Sequence, residues 1–134
     1  MFYRFDTAVP LRWVDVDSAG VINNAVYLSL MEQARYAYFA HLGLLEGHDV
    51  PFVLAESTLK FLRPGRLGME IEVAVTTTKL GSTSFQMSYE VRSGDHVLCT
   101  ATAALVFVDE QMKPTALPDN FREVVIQFEQ MDVE

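Results

Sequence analysis

Asp15 and Asp17 stand two residues apart, just ahead of Gly20, and a nearly uninterrupted apolar stretch begins at Ala25 behind Asn23 and Asn24. A helix starting there would present free N–H groups and the positive end of its dipole to whatever lies before it, which favours an anion or a developing oxyanion. A carboxylate beside a preorganised N–H donor is suited to acyl transfer or hydrolysis. The same spacing has a structural use, with Asp17 making an Asx-turn and Asp15 a surface contact, and on spacing alone that use is favoured. Gly20 supplies the conformational freedom for a tight turn between the acids and the helix.

A second group with chemical potential is Lys60, Arg63 and Arg66, which fall within seven residues of one another. They could hold a small phosphorylated ligand or simply form a solvated loop. Around them the chain is acidic, with eighteen acids against ten bases and a net charge of −8. An acidic chain is a poor nucleic-acid binder, because neutralising phosphates needs a basic face. The single Cys99 excludes an intramolecular disulfide framework, and without CxxC or HxxxH spacing no metal site is expected. His41 and His48 flank the exit of the long apolar segment and His96 opens a strand, so all three read as surface groups. Glu32 and Arg35, three apart, are expected to pair or to bond neighbouring polar groups.

The elements that position these residues follow from periodicity. Tyr3–Val14 reads as a strand with an irregularity at Pro10. Ala25–Leu42 contains no Gly or Pro and reads as a helix, with Asn23 or Asn24 as N-cap and Gly43 closing it. Its apolar coverage is wide enough to require burial on most sides. Phe52–Leu62 reads as a strand and a candidate edge. Met69–Thr76 and Ser84–Val91 alternate with period 2, and His96–Val108 is apolar on both faces. Short turns join the last three into an antiparallel meander. Pro118 opens a short helix with Phe121, Val124, Val125 and Phe128 on one stripe. The order is strand, long helix, four strands, short helix, which is an α+β chain with an antiparallel sheet. At 134 residues one domain is expected. No apolar run approaches the roughly 20 residues needed to span a bilayer. The N-terminus lacks the features of a signal peptide, so the cytoplasm is the expected compartment.

The Asp15–Arg35 segment resembles the signature of the 4-hydroxybenzoyl-CoA thioesterase-like family, D-x-D-x-x-G-(H/V/I)-V-x-N-x-x-Y-L followed by E-x-A-R. Here it is carried by Asp15, Asp17, Gly20, Val21, Ile22, Asn23, Asn24, Tyr27, Leu28, Glu32, Ala34 and Arg35, with Asn24 at the N position. Glu56–Gly65 resembles the family's second strand and following loop, and Lys113–Pro118 its exit from the last strand. Many relatives carry His where this chain has Val21, while members similar to hydroxybenzoyl-CoA thioesterase carry an aliphatic residue there. The resemblance implies a hotdog fold, with a long helix held in a five-stranded antiparallel sheet and subunits joined sheet edge to sheet edge as a homodimer or homotetramer. It implies hydrolysis of an acyl-CoA or aroyl-CoA thioester without a cofactor, coenzyme A being part of the substrate. Asp17 would be the nucleophile or general base, Gly20 would shape its turn, and the Asn24 N–H would polarise the carbonyl. Asn23, Tyr27, Glu56, Lys60, Arg63 and Arg66 are the expected substrate contacts. Two other outcomes are a non-catalytic acyl-CoA-binding module and a hydroxyacyl-thioester dehydratase. The latter normally pairs a His with an acid, and no His lies near Asp17 in the sequence.

Overall fold

The computed structural model describes residues 2–45 and 51–132, so His48 lies outside the described residues. Five strands form one antiparallel sheet in the order β1-β3-β4-β5-β2. They are β1 (Phe5–Ala8), β2 (Phe52–Phe61), β3 (Glu72–Leu80), β4 (Ser84–Ser93) and β5 (His96–Phe107). The long helix α1 (Val26–His41) follows β1, and α2 (Asp119–Glu129) follows β5.

The alternating pattern sorts side chains as expected. Val73 and Val75 of β3, Phe85, Met87, Tyr89 and Val91 of β4, and Ala101, Ala103, Leu105 and Phe107 of β5 are buried. The helix packs on β1, β3 and β4 through Leu30, Met31, Ala34, Tyr38 and Phe39. Phe39 anchors an aromatic cluster with Phe52, Phe85 and Phe121, ring centroids 5.3, 5.9 and 5.4 Å away. Phe121 arrives from α2, where Val125 is also fully buried, so that helix closes one end of the core.

Three expectations change. The first strand is much shorter than Tyr3–Val14: its ladder ends at Ala8, Val9 adds one bond to Ile71, and Pro10 has no N–H to continue it. The chain then turns through a 3₁₀ segment, Trp13–Asp15. Second, α1 buries one face rather than most of its surface, since Leu28 and Tyr36 remain 42% and 44% exposed. Third, the helix begins at Val26, and the Asn23 side chain accepts the Ala25 N–H in the turn before it. Strand β2 does form a sheet edge: its inner neighbour is β5, and its exposed side chains include Val53, Leu54 and Phe61.

Past Val75, β1 no longer covers β3. There the Glu129 carboxylate, the last residue of α2, accepts the Thr77 N–H at 3.0 Å, the Thr76 hydroxyl at 3.0 Å and the Tyr38 hydroxyl at 2.5 Å. A side chain thus takes the place of the missing strand, in the interior. Burial, with Glu129 alongside, drives the Tyr38 phenol far above its ordinary value.

Candidate active site

The segment between β1 and α1 is folded around Asp15. Its carboxylate is 3% exposed and accepts from Arg12 three times, from the backbone N–H at 2.8 Å and from Nε and Nη2 at 3.3 and 2.9 Å. Those bonds hold the Asp15 carboxyl below the usual carboxylate range. Asp15 is therefore a buried anchor and not a surface contact. Its carbonyl accepts the Asn23 N–H, which fixes where α1 begins.

Asp17 is placed differently. It lies on the exposed turn, and its Oδ1 accepts the N–H groups of Ala19 (2.9 Å) and Val21 (3.1 Å). The Asx-turn allowed by the spacing therefore exists. Oδ2 has no partner among the described residues, so one oxygen orients the side chain and the other is left over. Gly20 has φ +76°, a backbone conformation that an L side chain rarely adopts, and this closes the turn.

A second loop braces the first. Ile22 N–H bonds Gly65 O at 2.8 Å, Leu67 N–H bonds Gly20 O at 3.0 Å, and Val21 forms a bridge with Arg66. The approach at Gly65 is so close that an added Cβ would sit 2.4 Å from Ile22 Cδ1 and 3.1 Å from the Tyr27 hydroxyl. Sequence reasoning missed this glycine, although the Pro64-Gly65 pair was a signal for a special turn.

Between the two loops lies a cleft of about 230 Å³ lined by Val21, Ile22, Asn24, Tyr27, Phe61, Leu62, Arg63 and Pro64. The Asn24 N–H precedes the helix and has no acceptor among the described residues. Asp17 does not line the cleft itself but is hydrogen-bonded to Val21 in its wall, through both side chain and backbone. Tyr27 is buried, which raises its phenol pKa, and packs edge-on against Phe61 at 5.3 Å. Its place is therefore the wall between cleft and core.

The basic cluster divides. Arg63 lines the cleft and its Nη1 lies 2.9 Å from His96 Nδ1, while Arg66 sits on the bracing loop. Lys60 lines a separate surface depression with Thr58, Ser88, Glu90, Thr100 and Thr102. Glu56 is exposed on β2, next to the bulge at Ala55. His41 is exposed and stacks near Phe5 and Phe128. Burial pushes the Cys99 thiol up to about 11, as suits a small core residue. Arg35 does not ion-pair with Glu32: it is buried and donates from Nη1 to the Tyr89 hydroxyl at 2.8 Å. Among the described residues no group of three or more His, Cys, Asp and Glu could hold a metal, and no described helix is long and apolar enough to cross a membrane.

Comparison with known proteins agrees with this architecture. The family model of the thioesterase-like superfamily matches residues 11–125. A thioesterase of Thermus thermophilus, solved in complex with coenzyme A and Zn, superimposes with a TM-score of 0.86 at 34% identity, covering 96% of each chain. The acyl-CoA thioester hydrolase YbgC of Escherichia coli is 29% identical over 94% of this chain and 96% of its own. The 1,4-dihydroxy-2-naphthoyl-CoA hydrolase of Synechococcus elongatus is 24% identical over 90% of this chain and 93% of its own. A five-stranded antiparallel sheet around one long helix, a matching family model over most of the length, and these relatives together place the chain in the thioesterase-like superfamily, with the hotdog fold.

Proposed function

We propose that this thioester hydrolase cleaves acyl-CoA or aroyl-CoA thioesters, in the cytoplasm, with Asp17 as its reacting carboxylate. The observation that carries the reading is two groups without a partner among the described residues: Oδ2 of Asp17, a side chain bonded to Val21 in the cleft wall, and the N–H of Asn24, a residue that lines the cleft. The thioester carbonyl oxygen takes the Asn24 N–H, which strengthens as negative charge develops. Oδ2 then adds to the carbonyl carbon and coenzyme A leaves as its thiolate, after which water cleaves the acyl-aspartyl anhydride. In the alternative sequence Oδ2 accepts a proton from the water that adds. Both routes end in a free acid and coenzyme A, and neither calls on a cofactor, because the thiolate is a good leaving group. Gly20 and the two N–H groups on Oδ1 hold the carboxylate in place. Tyr27 walls the cleft on its core side, Asn23 holds the turn that leads into α1, Glu56 lies along the β2 edge, and Arg63, Arg66 and Lys60 are the cations available to the coenzyme A phosphates. The relatedness to an acyl-CoA thioester hydrolase and to a 1,4-dihydroxy-2-naphthoyl-CoA hydrolase supports acyl-CoA as the substrate class.

The same reading has the β2 edges of two subunits pairing. It is supported by the unpaired side of β2, by exposed Val53, Leu54, Phe61 and Leu62 on and beside that strand, and by exposed Leu28 and Tyr36 on α1. Sedimentation at micromolar concentration should show a dimer or tetramer; a 15.1 kDa species alone would count against it.

Thiol release from a panel of acyl-CoAs tests the chemistry. Asp17→Asn keeps an oxygen for the Ala19 and Val21 N–H groups and so keeps the turn, but loses the anion. Its kcat should fall by roughly 10² or more, the low end of what a positioned base supplies. Unchanged turnover in that variant would leave Asp17 as a turn former only.

A further inference from the structure

Of the three cations in the basic cluster, Arg63 is the one held at both ends. The N–H groups of Leu62 and Arg63 both bond Leu98 O, at 2.8 and 3.2 Å, which fixes the backbone from which the side chain starts. At its tip, Nη1 lies 2.9 Å from Nδ1 of His96. Leu98 and His96 both belong to β5, so one strand restrains the root and the head of the same side chain. The side chains of Lys60 and Arg66 make no hydrogen bond or ion pair among the described residues.

The chemistry of the partner matters. A guanidinium carries only donors and keeps its proton, so Nδ1 of His96 is the acceptor and the proton of the neutral ring sits on Nε2. The chain has eighteen acids, yet among the described residues no carboxylate pairs with Arg63. A carboxylate at that place would cancel the positive charge and compete with an incoming anion. A neutral imidazole orients the fork and leaves the charge, with the remaining donors, to a ligand. Arg63 and His96 are both exposed, so the contact adds little to the stability of the fold. It limits instead the freedom of a long side chain at the edge of the Asn24 cleft, freedom that would otherwise be lost when an anion binds.

We infer that His96 is a positioning residue for Arg63, holding its guanidinium in place, before substrate arrives, for a phosphate of the coenzyme A part. This rests on the acyl-CoA reading above and adds to it a prepared contact for the nucleotide end of the substrate.

The test measures kcat and KM on an acyl-CoA and on the matching acyl-pantetheine, which has no phosphate, for wild type, Arg63→Ala, His96→Ala and the double variant. His96→Ala should raise KM for the acyl-CoA by about two- to fivefold and leave kcat in place, as loss of an exposed contact does. In the double variant KM should equal that of Arg63→Ala alone, because the imidazole then has nothing to hold. His96→Asn, which offers an amide oxygen close to the place of Nδ1, should bring KM back toward wild type. On the acyl-pantetheine His96→Ala should match wild type, a result that a general loss of structure would not give. A rise in KM that is equal on the two substrates, or that adds fully to the effect of Arg63→Ala, would overturn the inference. So would Arg63→Ala raising KM while His96→Ala does not, although the phosphate contact of Arg63 would then stand. Unchanged KM in Arg63→Ala would remove that contact and the role of His96 together, with the hydrolase reading intact. A wild-type protein inactive on every thioester would remove all of these readings.

Discussion

Asp17, in the loop before α1, and Glu129, at the end of α2, are both carboxylates, and they have opposite circumstances. Glu129 is buried, and its two oxygens receive Tyr38, Thr76 and the Thr77 N–H. Asp17 lies on an exposed turn, with both N–H contacts on one oxygen and none on the other. The first is enclosed in the interior by three protein donors, while the second keeps, among the described residues, an oxygen without a partner. Counting acceptor sites already occupied thus separates a carboxylate that builds the fold from one placed to react. Asp15, two residues from Asp17, belongs with Glu129, because Arg12 surrounds it.

Exchanging the two roles by mutation gives the largest expected contrast. Asp17→Asn should lower kcat by roughly 10² and shift the melting temperature by no more than a degree or two, as an exposed substitution usually does. Glu129→Ala should do the reverse. It strands three donors in the interior, at about 1–3 kcal/mol for a group left without a partner, so a loss of several degrees in Tm is expected with a far smaller change in kcat. Thermal unfolding and thiol release on both variants would show this crossing, and a loss of turnover in Glu129→Ala to match Asp17→Asn would erase the distinction.

Asp15→Asn probes the neighbour. Removing the anion from beside Arg12 should cost about 1–2 kcal/mol at neutral pH, less than a fully enclosed pair because Arg12 faces solvent. The sign of its pH dependence follows from the lowered carboxyl pKa. A group depressed in the folded state adds stability above its unfolded value of about 3.9, and that addition disappears as pH falls through the folded value. The Tm gap between wild type and Asp15→Asn should therefore be full at pH 7 and close below about pH 4. A gap that widens in acid would contradict the Arg12–Asp15 assignment.

The divided basic cluster permits a smaller test. Arg63→Ala and Arg66→Ala should each raise KM for acyl-CoA by about three- to tenfold with little change in kcat, because phosphate contacts are the same in ground and transition states. Lys60→Ala should change KM less than either, as Lys60 lines a different depression. The smallest effect concerns Cys99. With its thiol pushed up to about 11 and buried, it should react with a thiol reagent at pH 8 at a small fraction of the rate seen after denaturation.

Legibility in the sequence divided along the same line between local and distant contacts. The β3–β5 meander and the α2 stripe follow from period 2 and period 3.6 within single segments, and the structure keeps both. The turn at Asp17-Gly20 was readable because its hydrogen bonds span four residues or fewer. Glu129 binds partners 52, 53 and 91 residues away, and no local pattern marks it. Arg35 reaches Tyr89 across 54 residues, so helical spacing alone suggested Glu32 as its partner. The strand expected over Tyr3–Val14 ended early for a local reason: aromatic and branched residues favour the extended state, but Pro10 cannot continue a ladder.

The close approach of Gly65 to Ile22 limits how this site can diversify. A side chain at 65 would push the buried Ile22 side chain aside and crowd the Tyr27 hydroxyl, so the contact favours glycine. Neighbouring positions have more freedom, since Phe61, Leu62 and Arg63 line the cleft and are all exposed. A library built to move this scaffold toward new thioesters should therefore randomise 61–63 and hold 65 fixed. Among natural variants, changes in the cleft should gather on the same three residues, with glycine retained four positions after 61.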